Sequence, residues 1–168
     1  MLHLRALSIC TVLLITGCTQ LSTLTPLTDP GWRAPLQDSK SVATRTVKGK
    51  MSFVCTYDGQ GFFWRFIQPS GTLYQGTRKT GTLNPDWSIT APSGVTLKAQ
   101  IITNGPSRGQ HLRDALFKTQ PHTRGPFANI RYIERTDAQG GMPLTKCSAS
   151  QQGQHLHRPF TAKYTFWR

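Results

Sequence analysis

The chain has 168 residues, with 20 Lys and Arg against seven Asp and Glu, giving a formal charge of +13 with histidine neutral. Glu134 is the only glutamate, and Asp29, Asp38, Asp58, Asp86, Asp114 and Asp137 are scattered, which argues against paired-carboxylate hydrolysis and against calcium or magnesium sites built from clustered acids. Phosphate-loop and dinucleotide fingerprints are absent, as is the G-x-S-x-G elbow of acyl transfer, so the chain reads as non-enzymatic with no cofactor.

The first element in chain order is an export signal. Arg5 precedes the apolar run Ala6 to Ile15, which is too short to span a bilayer and has the length of a secretory signal's central region. Ile15, Thr16, Gly17 and Cys18 then resemble the bacterial lipobox, in which an apolar residue and two small ones precede a cysteine whose thiol takes a diacylglycerol. The expectation is a signal peptide over 1–17 and a lipidated Cys18. Two or three acyl chains, at about 0.8 kcal/mol per buried methylene, make such anchoring effectively permanent. Thr19 is not the aspartate that marks inner-membrane retention in enterobacterial lipoproteins, so by this resemblance the destination is the outer membrane, facing the periplasm.

With residues 1–17 removed, 151 residues remain, and loss of one arginine and no acid leaves a charge of +12. Cys10 leaves with the signal and Cys18 is acylated, so Cys55 and Cys147 are left. In an oxidising compartment two remaining thiols usually pair. The bond would close a loop for which chain entropy gives about 4 to 5 kcal/mol. A free buried thiol or a redox pair are the alternatives, and no C-x-x-C spacing supports the second.

Residues 18–46 are rich in Thr, Ser and Pro without a sustained period and read as the lipidated cysteine and a flexible tether, reaching about 60 to 80 Å if largely extended. Trp32 within it is a candidate to dock on the domain. The domain itself is expected over 47–168. Val47, Met51, Phe53, Cys55 and Tyr57 alternate with polar residues as a half-buried strand, and Asp58 to Gly61 supplies a turn. Phe62 to Ile67 reads as a strand apolar on both faces, with its aromatics in the core, and Pro69-Ser70-Gly71 as a turn into Thr72 to Tyr74. Trp87 to Ile89 and Val95 to Ile101 are further short strands.

Residues 103–126 are ambiguous between one helical turn and a short strand near Ala115 to Lys118. Phe127 to Arg135 and Phe160 to Phe166 complete an all-β fold of about seven or eight short, mostly antiparallel strands, a sandwich or barrel stapled by one disulfide.

The C-terminal third carries a family resemblance. FANIRYIERTDAQGGMPLTKC (Phe127 to Cys147) followed by RPFTAKYTFWR (Arg158 to Arg168) resembles the family known as domain of unknown function 3455, found in secreted bacterial and fungal proteins. Ile133, Arg135, Gly140, Gly141, Pro143, Cys147, Ala162, Tyr164 and Phe166 fit its pattern, and Phe53 to Tyr74 is similar to its cysteine, aromatic strand and proline turn. The family's Pro-Glu-Ala is here Pro69-Ser70-Gly71, and its histidine-bearing segment is Gly76 to Gly81. The resemblance spans about residues 47–168 and implies a β-rich extracytoplasmic domain with a disulfide and no assigned reaction.

Three functional readings follow. The first is a lipid-anchored envelope protein with a non-catalytic binding or scaffolding domain, held at the membrane by its lipid. Its positive surface, with Arg108, Arg113, Arg124 and Arg131 as candidate anion-binding residues, suits lipopolysaccharide or other anionic envelope polymers. No nucleic acid is expected in that compartment, and the protein partner is unknown. The second is an inhibitor-type module presenting the Ala91 to Gly94 hairpin to an envelope enzyme. The third is a metal-dependent enzyme using His155 and His157, which share one face of a strand at i and i+2 but lack a nearby third ligand.

Overall fold

A computed structural model describes residues 31–168 as one nearly closed, antiparallel, barrel-like sheet of nine strands. The expectations for the signal peptide, for Cys18 and for residues 18–30 of the tether lie outside the described residues. The strands are β1 (Ser41–Tyr57), β2 (Phe62–Gln75), β3 (Arg78–Leu83), β4 (Ile89–Thr90), β5 (Thr96–Leu97), β6 (Ala99–Asn104), β7 (Ala115–Thr119), β8 (Tyr132–Gly140) and β9 (His155–Trp167). Their order in the sheet is β5-β4-β3-β2-β1-β9-β8-β7-β6. Only Lys98 separates β5 from β6, so the two ends of the sheet are joined by a single residue of chain.

The long strands form where apolar residues alternate. Phe160, Ala162, Tyr164 and Phe166 of β9 are buried while Thr161 and Lys163 face out. They meet Val47, Met51 and Phe53 of β1, Leu73 and Leu83 of β2 and β3, and Phe117 and Ile133 of β7 and β8 in one interior. Burying each such side chain contributes about 1.5 to 3 kcal/mol relative to exposure. Gly49 creases β1 at the centre of this wall. It pairs with Gly71 on one side and Phe160 on the other, and a Cβ there would strike the Ser70 carbonyl and the Phe160 ring.

Several boundaries differ from the sequence reading. The domain starts before residue 47: Gly31–Leu36 forms a 3-10 turn on the outer wall, and β1 begins at Ser41, opposite Trp167. Trp32 docks there, its indole against Gly105. Pro69-Ser70-Gly71 is no turn, since β2 runs through it with Pro69 opposite Met51 and the register shifting at Ser52/Phe53. Proline is tolerated because β3 pairs with β2 only from Gly71 onward, so the Pro69 edge has no ladder bond to supply. Residues 115–119 take the strand alternative. Trp87 and Phe127 to Arg131 lie in loops rather than strands.

The Cys55–Cys147 disulfide is present, joining the end of β1 to the loop before β9. Because connections alternate between the ends of an antiparallel barrel, the loops 58–61, 84–88, 105–114 and 141–154 share one end with this bond. The loops 76–77, 91–95 and 120–131 share the other.

Candidate functional site

Each end of the barrel holds a depression, and the one at the disulfide end, of about 290 Å³, is lined by Met51, Phe53, Phe66, Trp87, Leu112 and Arg135 with polar groups on its rim. Its walls are aromatic. Phe66 stacks on Trp87 with centroids 5.8 Å apart and meets Phe53 edge-on at 5.8 Å, and Trp87 packs on Phe117 at 5.5 Å.

Arg135 is the unusual member. It occupies an inward position of β8, between Ala115 of β7 and Tyr164 of β9, and is only 4 % exposed. Its Nε and Nη2 donate to the Arg113 carbonyl at 3.1 and 2.9 Å. Its guanidinium carbon lies 5.3 Å from the Trp87 ring centre and 5.6 Å from that of Phe117. No carboxylate pairs with it: the ion pairs among the described residues are Arg33–Glu134, Arg108–Asp114 and Lys163–Asp137.

The Arg135 Nη1 and the Tyr164 hydroxyl are both shut from solvent, and neither completes a hydrogen bond. They are nonetheless neighbours. Burial pushes the Tyr164 phenol above its ordinary value, while the Arg135 charge, acting across a contact outside hydrogen-bond geometry, pulls it down. Desolvating a cation costs several kcal/mol. Two ring faces at about 1 to 2 kcal/mol each, and bonds to one carbonyl, offset that cost only in part.

The Trp87 position is set by its turn. Trp87 has φ of 67°, and its neighbours fix it: Ser88 donates through Oγ and N to Asp86 Oδ1 at 2.6 and 3.0 Å, and Asn84 Nδ2 donates to Ser88 Oγ at 2.9 Å. These bonds hold the Asp86 carboxyl below its ordinary value, the Ser88 hydroxyl first. On the opposite rim, the Gly140 amide donates to His111 Nδ1 at 2.8 Å, leaving Nε2–H as the imidazole's free donor. That bond engages one amide of the Gly140-Gly141 pair. Gly141, at φ 92°, also needs to be glycine because a Cβ there would enter the Leu112 side chain.

The sequence-derived candidates fall in several places. Arg108 and Arg113 lie in the loop rimming the Arg135 mouth, where Arg108 pairs with Asp114 at 3.1 Å and Arg113 is exposed. Arg124 and Arg131 lie in the β7–β8 loop at the opposite end, so the four do not form one patch. His155 and His157 are exposed on the outer face of β9, and Ser52 Oγ is 3.0 Å from His157 Nδ1. No group of three metal-ligating side chains occurs among the described residues.

Ala91 to Gly94 is a tight turn closed by the Ala91 N to Val95 O and Gly94 N to Ala91 O bonds, with Pro92, Ser93 and Gly94 exposed. The aromatics of β2 are only partly core: Phe66 is 40 % exposed, Phe62 and Phe63 are half-buried, and Trp64 is half-buried against the core. Arg135 enters the sequence reading only as a residue that fits the family pattern, with no site role. The missed signal was its parity, two residues from Ile133 on the face that β8 turns inward.

Fold and mouth together define a small, disulfide-stapled, antiparallel β-barrel domain with a ligand-sized depression over a buried arginine. The profile of the family described as "Protein of unknown function (DUF3455)" matches residues 81–168, just over half of the chain, and the chain belongs to that family. No curated protein and no solved structure matches it.

Proposed function

We propose that the protein is a lipid-anchored envelope lipoprotein whose barrel is a non-catalytic binding domain on the periplasmic side of the outer membrane, with the Arg135 mouth as its binding site. The observation that carries this reading is the buried, acid-free Arg135 beneath an aromatic-walled depression open at one end of the barrel. A charge so placed is costly for the fold and useful to a ligand. The rim offers no nucleophile hydrogen-bonded to a base, which favours holding a molecule over converting one.

The position of the tether supports the membrane part. The described chain begins at Gly31, and the next residue, Trp32, packs on Gly105 in the loop that rims the same mouth. Twelve residues lie between Cys18 and Gly31. At full extension the step from Cys18 to Gly31 spans at most about 47 Å, so an acylated Cys18 would keep this end of the barrel within that reach of the bilayer. Basic side chains at both ends of the barrel suit a diffuse attraction to anionic envelope polymers rather than one docking face.

Replacing Cys18 by Ser is expected to abolish fatty-acid labelling and release the protein from the membrane fraction. Unchanged labelling overturns the anchor. Solvent extraction of the protein purified from its native envelope, followed by mass spectrometry, is expected to yield a stoichiometric small molecule. A protein that is empty by extraction and takes up nothing from a total envelope extract overturns the binding role.

A further inference from the structure

We propose that the ligand of this mouth is a carboxylate-headed amphiphile, its head on Arg135 Nη1 and the Tyr164 hydroxyl and its apolar body against Met51, Phe53, Phe66 and Trp87. The inference rests on the binding role proposed above and names the ligand class. Arg135 uses Nε–H and one Nη2–H on the Arg113 carbonyl, which leaves one Nη2–H over and leaves Nη1 and the neighbouring Tyr164 hydroxyl with no partner. Two donor groups at one point match the two oxygens of a carboxylate. A phosphate dianion would bring more charge and more acceptors than this floor can meet.

The walls argue for the rest of the molecule. Met51, Phe53, Phe66, Trp87 and Leu112 make the lining beside Arg135 largely apolar or aromatic, so a bare anion such as acetate would leave that surface unfilled. The apolar lining continues outward through Met142, 37 % exposed at the mouth, to Leu144, 60 % exposed in the same loop. That is the end at which the described chain begins, with Trp32 against Gly105, and so the end nearest the bilayer in the proposed arrangement. An amphiphile drawn from a membrane meets an apolar rim first and the cation last.

Trp87 is the cover. Nη1 is out of solvent, and the half-buried indole lies over the guanidinium beside Phe117, on a turn closed by the Asn84–Ser88 bonds. A head group reaching Nη1 has to displace that ring, which keeps stacking partners in Phe66 and Phe117 as it slides.

The test compares decanoate with decanol, both below their aggregation limits. Calorimetry would use the chain from residue 18 with its disulfide intact and Cys18→Ser, so that no acyl chain of its own competes. Decanoate is expected to bind one to one and at least tenfold more tightly than decanol. Arg135→Met, close in volume and uncharged, is expected to bring decanoate down to the affinity of decanol while leaving decanol unchanged.

Arg124→Gln, in the β7–β8 loop at the opposite end of the barrel, is expected to alter decanoate affinity less than threefold. If decanol binds as tightly as decanoate to the unmodified mouth, the carboxylate assignment falls and the apolar binding site stands. If neither binds at millimolar concentration, the binding role of the mouth falls with it. The wild-type comparison decides the matter even if Arg135→Met does not fold.

Discussion

The two ends of the barrel solve the same packing problem in opposite ways. At the end away from the disulfide, the depression is walled by Leu73, Ile89, Phe127, Ile130 and Phe166, with Phe127 and Phe166 stacked at 6.3 Å, and its cations Arg45 and Arg168 stay at the rim. Water pays their solvation. At the other end the cation is in the wall itself, and aromatic faces and one carbonyl replace the water. The apolar end keeps its charges at the rim, whereas the Arg135 end buries one within the wall.

The largest expected effect sharpens this contrast through the disulfide, which lies at the Arg135 end. Replacing Cys55 and Cys147 together by Ser should lower stability by about 4 kcal/mol in urea unfolding. Hydrogen exchange should accelerate more in the 105–114 and 141–154 loops than in the 120–131 loop. Uniform acceleration would mean that the two ends are not independently held.

Next come the two walls. Phe127→Ala, which opens a cavity in the apolar end, should cost about 3 kcal/mol. Arg135→Met should cost under about 1 kcal/mol or raise stability, because it removes a desolvated charge without leaving one behind. If Arg135→Met costs as much as Phe127→Ala in the same unfolding assay, the arginine is a structural member and the comparison collapses.

A smaller effect tests the outer wall between the ends. Glu134, also on β8 but pointing outward, is 3 % exposed beneath the 3-10 turn, and Arg33 Nε reaches it at 2.6 Å. Arg33→Ala should cost about 1 to 2 kcal/mol by leaving that carboxylate unpaired. The figure is discounted because Arg33 itself is half exposed. Arg33→Lys should recover part of it.

The smallest effect is a pH response of the Trp87 cover. The Asp86 carboxyl is held below its ordinary value of 3.8, mainly by the Ser88 hydroxyl. A depressed folded value means stabilisation that is present above the unfolded pKa and lost as pH falls through the folded one. The turn should therefore loosen as pH drops below 3.8, seen as a change in tryptophan emission that Trp87→Phe removes. Asp86→Asn should show the loosened state at neutral pH.

Much of the barrel was legible because alternation is a direct record of a two-sided sheet. Val47 to Tyr57 and Phe160 to Phe166 became strands with Val47, Met51, Phe53, Cys55 and the β9 apolar residues buried as expected, although Tyr57 is exposed, and the two late cysteines paired. What was not legible depended on neighbours far along the chain. Whether Pro69 breaks a strand depends on where β3 stops pairing, and nothing near Pro69 encodes that. Residues 31–46 look like a tether because their partners are Trp167, Glu134 and Gly105, more than 70 positions away. The aromatics of β2 looked like core, yet Phe66 instead lines a mouth whose other wall is the Trp87 turn. Arg135 was written in the sequence as an arginine at core parity, a conflict that average charge obscures.

The single-residue join at Lys98 bears on how copies of this protein coexist. An open nine-stranded sheet would present two rows of unpaired amides and carbonyls, each a template for adding a strand from another molecule. Here those margins are β5, two residues long, and β6, and the chain that links them lies across the gap. In the lipid-anchored arrangement proposed above, copies held on a two-dimensional surface would meet at high local concentration. By nearly closing the sheet on itself, this fold leaves such encounters little margin beyond the β2 stretch before Gly71, where Pro69 has no amide hydrogen to give an added strand.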